Sequence, residues 1–588
     1  MRRGLPLALA LLSASSLAAQ RLTWGLGVRT AALYERKLQL VDEITDPAPE
    51  AGKKARPTGF HGQQPASPLL FGGELDPTRS FPELPVLDLR EVGMRVAFDL
   101  RFAKVGKATL PIEASSRFNA TNLDLVCGPI DKTGTQEITG SFAVDSKRKD
   151  PRFAGGYPAD IVGKLVLKRT LDTEGRRVSA FTSDLDVVLV QSKPLQPNVM
   201  GFLAAHVSVA DSWTWTRDLT PEEAEFRTRV IEAIRKGLAN LLAILPGQTN
   251  TPEANINDYA NGQLALVLLA LLKGGESPFQ PEIAAGLTEL ARRDITDTYS
   301  LSVAIMAIEA IYAPSDEREM LRKGVLKAPV PRKPSAEHKA LLAEWTKRLL
   351  LNIDSTVDPA YTRRWHYHPS KSFDNSNTQY AMLGLYAAQL CGIEVSPQIW
   401  FASANHWLAM AQRQKGETFN LQTETALEAG KTQRTISKQP NIQVVGWGYS
   451  RGSTPTGSMT CAGVTGLTLC IAGLRLQKKG DQKLVDEAEA ALLGGYAWLA
   501  KHLTVRGNPP DPASWSSWHF YYLYGLERSC ELRQIARLQD RDWYFEGALE
   551  LMARQQVNGA FGPGGLADTC FAILFLKRVA LPAITPGR

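Results

Sequence analysis

Cysteine is scarce in this chain. There are six in 588 residues, at 127, 391, 461, 470, 530 and 570, and no two stand at the spacing of a metal-ligand pair. That excludes zinc-finger and zinc-ribbon chemistry. Cys391 and Cys470 sit in apolar helical text (AAQLCG, LTLCIAG) and read as buried small hydrophobes, not as members of a disulfide framework. Basic runs interleaved with aromatics are also missing. The net charge of +7 is spread over acidic and basic residues in alternation, the pattern of solvated faces, so no nucleic-acid partner is expected. After the N-terminus no segment is long and apolar enough to cross a bilayer, so no transmembrane span is expected. Nothing in the motifs implies a cofactor or a metal.

What is present is the composition of a globular protein, 44% hydrophobic and 22% charged, in a chain too long for one ordinary core. Met1-Arg2-Arg3, the apolar stretch Leu5–Leu12 and the small residues Ser16-Leu17-Ala18-Ala19 have the three-part form of a secretory signal over 1–19. No cysteine follows the apolar stretch to take a lipid. The mature protein is expected to be exported, periplasmic or extracellular.

Residues 20–218 read as an antiparallel β domain, a sandwich or barrel-like fold, with a Pro/Gly-rich loop at 48–86. Strands are predicted for Arg21–Glu43, Val92–Phe102, Ile138–Val144, Ile161–Leu167, Val178–Val190 and His206–Trp215, where apolar and polar residues alternate. No cluster of His, Cys or carboxylates marks a catalytic centre there.

At Thr220-Pro221-Glu222-Glu223 a helix start appears: an N-cap, a proline at the first helical position and a capping-box glutamate. From here to 580 two kinds of helix alternate. Six are amphipathic and charged (Pro221–Leu245, Pro281–Arg292, Ala336–Asn352, Pro397–Arg413, Gln482–His502, Trp543–Gln555). Six are short and apolar nearly all round (Asn261–Lys273, Thr298–Tyr312, Thr378–Cys391, Ser458–Leu474, Ser517–Leu532, Asp568–Val579). A helix apolar on every side is buried and one with a charged face lies outside. The alternation predicts an (α/α)6 toroid over 219–580, followed by a tail at 581–588, with Phe419–Val445 as its largest loop insertion. Strict alternation makes the inner helices parallel. Their polar and aromatic N-terminal ends then gather at one mouth of a central cavity, where any site is expected.

Two stretches carry a resemblance. Leu551-x-x-x-Gln555-x-x-x-Gly559-x-Phe561 resembles the Gln-Trp repeat of squalene cyclases with Phe for Trp, and Leu408-x-x-x-Gln412-x-x-x-Gly416, with Phe419 displaced, is a second copy. On these the region from Pro221 to Val579 resembles the terpenoid cyclase and protein prenyltransferase superfamily of α/α toroids. The phrases DNSNTQYAMLGL and HFYYLYGLER, with the export signal and β domain, are similar to exported toroid proteins of planctomycete-type bacteria. The family's catalytic residues transfer poorly. Where class II cyclases carry the proton-donating middle Asp of D-x-D-D-T-A, Asp294-Ile295-Thr296-Asp297-Thr298 has Thr296, and a hydroxyl is far too weak an acid to protonate an alkene. Asp568-x-Cys570 has prenyltransferase zinc-ligand spacing, with His519 on the preceding repeat; the simpler reading makes Asp568 an N-cap and Cys570 core. The thioester motif of complement-like toroids is missing.

The candidate ligand-binding residues are therefore the polar and aromatic groups at the inner-helix starts. They are Asp374, Asn375, Asn377 and Gln379 at one, Trp447 and Tyr449 at the next, and Trp518, His519 and Tyr521 at a third. Asp297 and Asp568 complete the set. His519 is the best single acid/base candidate. The functional expectation is a cell-envelope protein whose toroid cavity holds a ligand or partner segment, its catalytic motifs degenerate. The alternatives are an isoprenoid-processing enzyme or a carbohydrate-active enzyme on the same toroid, the last needing two facing carboxylates.

Overall fold

The computed structural model describes residues 26–45, 57–64, 70–73, 89–98, 100–112, 121–144, 159–171, 178–191 and 204–219. It also describes 221–580 apart from short stretches at 253–254, 315–316, 323–325, 327, 355–361, 369–372, 426–434, 477–481, 511–517 and 563–564. The signal-like N-terminus, Thr220 and the tail at 581–588 lie outside the described residues. The protein is mixed α and β, an N-terminal antiparallel sheet followed by a helical region, and it divides into two compact units. One spans 1–229 with 314–316, the other 230–313 with 317–588.

The first unit is built on one nine-stranded antiparallel sheet. Its strands are β1 (Leu26–Thr45), β2 (Pro57–Gln64), β3 (Leu70–Gly73), β4 (Gly106–Ile112), β5 (Thr121–Ile130), β6 (Thr135–Val144), β7 (Ala159–Leu171), β8 (Val178–Gln191) and β9 (Ala204–Leu219). They run in the order β2-β1-β9-β8-β7-β6-β5-β4, with β3 also on β1. Among the described residues the unit has no second sheet, and the end strands β2 and β4 are not paired with each other, so the sandwich and barrel expectations are corrected to a single open sheet. The Pro/Gly-rich loop is likewise corrected, since β2 and β3 arise within it and pair with β1.

The residues Val92–Phe102, predicted as a strand, form helix α1 (Leu89–Phe98) and a 3-10 turn at Leu100–Ala103. Alternation over so short a run also satisfies a helical stripe, because Val92 and Val96 are four apart and both are wholly buried. Packing decides for the helix, which lies on β7 and β8. Phe98 meets Phe181 edge-on at 5.5 Å, and Arg169 donates to the Ala97 carbonyl at 2.6 Å. A covering helix removes the need for a second sheet.

The helical region contains α2 (Pro221–Thr249), α3 (Asp258–Gly274), α4 (Pro281–Arg292), α5 (Thr298–Tyr312), α6 (Glu317–Arg322), α7 (Ala336–Leu351), α8 (Asn375–Leu390) and α9 (Pro397–Met410). It continues with α10 (Gly457–Leu476), α11 (Gln482–Lys501), α12 (His519–Glu531), α13 (Trp543–Ala553) and α14 (Leu566–Lys577). The apolar helices pack in series, α3 on α5, α5 on α8, α8 on α10, α10 on α12 and α12 on α14, and α14 packs back on α3. The charged helices pack outside this circuit: α7 on α5 and α8, α9 and α11 on α10, α13 on α14. Small residues make room for large ones. In α10, Gly463, Gly466 and Gly473 each face an indole, of Trp447, Trp407 and Trp400, at distances where a Cβ would collide. Phe419–Val445, expected as a loop, is mostly a hairpin of β10 (Gln412–Thr425) and β11 (Ile436–Gly446), with β12 (Ile535–Leu538) added to β10. The hairpin starts at Gln412, so α9 ends three residues earlier than expected. Helix α10 reaches the length and hydropathy of a membrane span over Gly457–Arg475, but Gly457–Leu474 is buried within the helical unit, so no clear transmembrane span is seen among the described residues.

The Gln-Trp-like segments do local structural work. Gln555 donates to the carbonyls of Ala233 and Gly559, and Gln412 to that of Ser453. A threonine inside the following apolar helix accepts the backbone N–H of the preceding aromatic in three repeats: Thr378 from Trp365 at 3.2 Å, Thr460 from Trp447 at 3.3 Å, Thr569 from Phe561 at 3.0 Å.

Candidate functional site

The N-terminal ends of the apolar helices are stitched to one another. At the start of α5, the Ser300 hydroxyl donates to the Asp258 carbonyl at 2.8 Å, and the Thr298 N–H to that of Tyr367. At α8, the Asn375 N–H donates to the Tyr449 carbonyl and its amide to that of Gly448 at 2.8 Å. At α10, the Gly457 N–H donates to the Pro509 carbonyl and the Ser458 N–H to the Asn508 side chain. Each of these starts donates a backbone N–H to the loop serving the next apolar helix, which satisfies amides that a helix N-terminus leaves open, and Ser300 adds a link back to the start of α3.

The candidate residues meet this network unequally. Asp374 is the N-cap of α8: one oxygen accepts the Asn377 N–H at 2.8 Å and the Ser376 hydroxyl at 2.7 Å, and the other accepts the Asn377 amide at 2.7 Å. Asn375 is wholly buried, and its side-chain oxygen accepts from His406 Nε2 at 3.0 Å. Trp447 is core, its indole N–H donating to the Trp407 carbonyl at 2.9 Å. His519 is buried, with Nε2–H on the Val505 carbonyl at 2.7 Å, and burial lowers its pKa. Its acid/base promise from sequence therefore meets a side chain held by backbone. Tyr449 is half exposed, and burial followed by the Asp374 charge raises its phenol pKa. Trp518 is 74% exposed, in left-handed conformation at the start of α12.

Asp297 caps α5 by accepting the Ser300 N–H at 2.8 Å. Burial, with Asp258 nearby, pushes its carboxyl up to about 6, and its second oxygen has no hydrogen-bond partner. Asp568 is corrected: Gly565 is the N-cap of α14, and Asp568 lies three residues inside, where burial pushes it up to about 6. The chain starts this helix earlier because Leu566 and Ala567 extend its apolar run. Cys570 is core, and all six cysteines are buried. Among the described residues no three His, Cys, Asp or Glu side chains are grouped to hold a metal ion. His366 and His368 face different carboxylates, Asp354 at 3.3 Å and Asp258 at 2.7 Å.

Gln379 and Tyr521 lead inward. The Tyr521 hydroxyl donates to Gln379 Oε1 at 3.0 Å, and its ring stacks on Tyr380 at 6.2 Å. Tyr380 meets Tyr299 of α5 at 4.4 Å, and Phe571 of α14 meets both Tyr521 and Tyr524. The Arg528 guanidinium lies 4.1 Å from the Tyr524 ring centre and 5.3 Å from that of Tyr380. Four apolar helices thus meet at one aromatic and cationic cluster. Sequence reasoning missed Tyr299, Tyr380, Tyr524 and Arg528. The signal was available in α12: Tyr521, Tyr524 and Arg528 at i, i+3 and i+7 share one helical face. His406 was missed as well, since it arrives from a charged helix rather than from a helix start.

An open polar cleft of about 480 Å³ adjoins the start of α3, lined in part by Asp258, Asn261, Arg293 and Asp294. Its charges are paired: Asp258 with His368, Arg293 with Glu289 and Asp294 with Arg348.

At the opposite ends of the apolar helices the contacts are ionic. Glu309 of α5 receives Lys273 of α3 at 2.8 Å and Arg332 at 2.7 Å, and Arg332 also binds Glu317 of α6 at 2.8 Å. Glu531 of α12 receives Arg318 of α6 at 3.0 Å and Arg578 after α14.

No family model matches the sequence, and no curated protein does. Among solved structures, a chain from "Lipid-protein interactions in lipovitellin" is similar at 9% identity, with 86% of this chain covering 56% of that one, at a TM-score of 0.17. This chain thus spans a little over half the length of that one, and an overlap so small carries no argument about fold or function.

Proposed function

We propose that the helical region is an (α/α)6 toroid that binds a ligand or partner segment within its ring and does no chemistry on it, in a protein exported to the periplasm or beyond. The circuit of six apolar helices, closed by α14 on α3, supports the toroid. The observation that carries the binding reading is the division of labour at the helix starts. Asp374, Asn375, Trp447 and His519 are committed to capping and stitching, while Gln379, Tyr380 and Arg528, among the tyrosines, keep buried polar atoms without partners. The resemblance to terpenoid cyclases fits this reading, since Thr296 stands where that family carries its acid.

Native mass spectrometry of the full chain, purified without denaturation, tests it. The expected result is a noncovalent adduct that survives Asp374→Ala and His519→Gln. Turnover of an isoprenoid or sugar that disappears in either variant, with the fold retained, overturns it. A second reading is favoured by Asp297 and Asp568. Both carboxyls stand near 6, in the range a general acid needs, on helices that flank α3. For that enzyme reading, Asp568→Asn abolishes turnover with an unchanged melting temperature.

A further inference from the structure

Arg528 is 2% exposed, and none of its three guanidinium nitrogens meets an acceptor in hydrogen-bond geometry among the described residues. A guanidinium stays charged under all physiological conditions. Burying it without an anion or a full set of acceptors costs several kcal/mol, of which two aromatic faces return only part. The surroundings sharpen the imbalance. Gln379, 1% exposed, has its carbonyl oxygen taken by Tyr521 while its Nε2 donor is unpartnered. The Tyr380 hydroxyl, also buried, has no partner in hydrogen-bond geometry, though Tyr299 and Arg528 lie beside it. Arg528 faces the Tyr380 ring at 5.3 Å, and Gln379 is tied to the same cluster through Tyr521, which stacks on Tyr380.

The charge balance selects the kind of acceptor. Tyr299, Tyr380, Tyr521 and Tyr524 all have phenol pKa values raised by burial, so they remain neutral. Glu527, next to Arg528 on α12, accepts the Ala580 N–H at 2.9 Å, and burial beside Glu531 pushes its carboxyl up to about 8, so it too is protonated at neutral pH. One positive charge is left. A single negative charge matches it, whereas a dianion would bring a second buried charge with no partner. The walls are aromatic: Tyr299, Tyr380, Tyr524 and Phe571. Solvent lies one layer away, since Tyr521 is partly exposed and Trp518 stands edge-on to it at 6.3 Å.

We propose that Arg528, Gln379 and Tyr380 form the head-group site for a monocarboxylate with an apolar body, which lies among the rings of Tyr299, Tyr524 and Phe571. This rests on the binding reading above and names its ligand class. The Arg528 fork takes both carboxylate oxygens, and Gln379 and Tyr380 donate to their remaining lone pairs. Tyr521 and Trp518 must swing outward for the ligand to pass.

The test uses the full chain with decanoate and 3-phenylpropionate as probes, decanol and inorganic phosphate as controls, and calorimetric titration with melting curves as readouts. The expected result is saturable binding of one or both carboxylates and none of decanol. Arg528→Met weakens binding by about 30-fold, the loss of charge-assisted hydrogen bonds, while the unliganded variant melts at the same temperature as the parent or higher, because a buried unpaired charge has gone. Gln379→Leu, which leaves Arg528 in place, weakens binding by about 5-fold and keeps the ligand preference, guarding against misfolding of the Met variant. Phosphate binding in place of the carboxylates overturns the monocarboxylate assignment. So does absence of binding together with a lower melting point for Arg528→Met, which makes Arg528 a structural partner of the tyrosines. A native adduct of uncharged chemistry leaves the binding reading standing and sinks this inference alone.

Discussion

Asp374 shows at the single-residue scale why a polar cluster need not be a site. Its carboxylate accepts three hydrogen bonds from its own helix start, so Asp374→Ala is expected to cost about 2 kcal/mol in urea denaturation, the sum of a lost cap and an orphaned Asn377 amide. His406 makes a pH prediction. Burial, helped by Arg364, lowers its pKa from 6.5 to about 3, so the unfolded chain binds a proton that the folded one refuses. Its contribution is complete above pH 6.5 and is lost as pH falls toward 3, and a His406→Gln variant should show a shallower loss of stability over that window. Glu527 has the opposite sign. Its carboxyl is raised from 4.5 to about 8 by burial, so stability falls as pH rises from 4.5 to 8, when only the unfolded chain releases the proton. Glu527→Gln retains an acceptor for Ala580 and should gain stability over the parent at pH 8, on the order of a few kcal/mol, with little difference at pH 4. A stability difference between parent and Glu527→Gln that stays the same from pH 4 to pH 8 would refute this.

The elements are specified more clearly than their partners. Helix α10 is apolar throughout, and its length alone would suit a membrane; its glycines reveal its true neighbours. A Cβ at Gly466 would stand 2.2 Å from the Trp407 indole nitrogen, so Gly466→Val should destabilise the helical unit by about 3 kcal/mol, read from the urea midpoint. The Leu551–Phe561 segment was legible as a Gln-Trp-like repeat because its parts are close in the chain, with Gln555 and Gly559 in direct contact. The Val92–Phe102 stretch was misread because one apolar pattern serves both a strand and a helix over so few residues. The choice lies with Phe181 and Arg169, which are more than 60 residues away.

For the molecule as a whole, the circuit of apolar helices has two differently built ends, hydrogen-bonded stitching at one and buried ion pairs at the other. In the ionic network, burial alone would raise the Glu309 carboxyl, and Lys273 and Arg332 reverse this and hold it down to about 2. Arg332→Met leaves Glu309 with one partner and Glu317 without its ion pair, and should cost about 3–5 kcal/mol, measured by denaturant unfolding of the full chain. Because α14 packs on α3, contacts between helices some 300 residues apart are needed to close the circuit. Removing Leu566–Lys577 should therefore expose amides in α3 to rapid hydrogen exchange, and protection unchanged there would argue against a closed ring.

Alternation of charged and apolar helices and the burial of Cys391, Cys470 and Cys570 followed from the chain by itself, because periodicity and hydrophobicity are local properties. So was the list of polar helix starts. Which of those groups were consumed, and which were left unpartnered, depended on distant carbonyls such as Gly448, Tyr449 and Val505, and these the chain order does not bring together. The cluster of Tyr299, Tyr380, Tyr521 and Arg528 exists only once four helices meet. A guanidinium with no acceptor in hydrogen-bond geometry among the described residues is a fact about the space around Arg528, and no reading of neighbours along the chain supplies it.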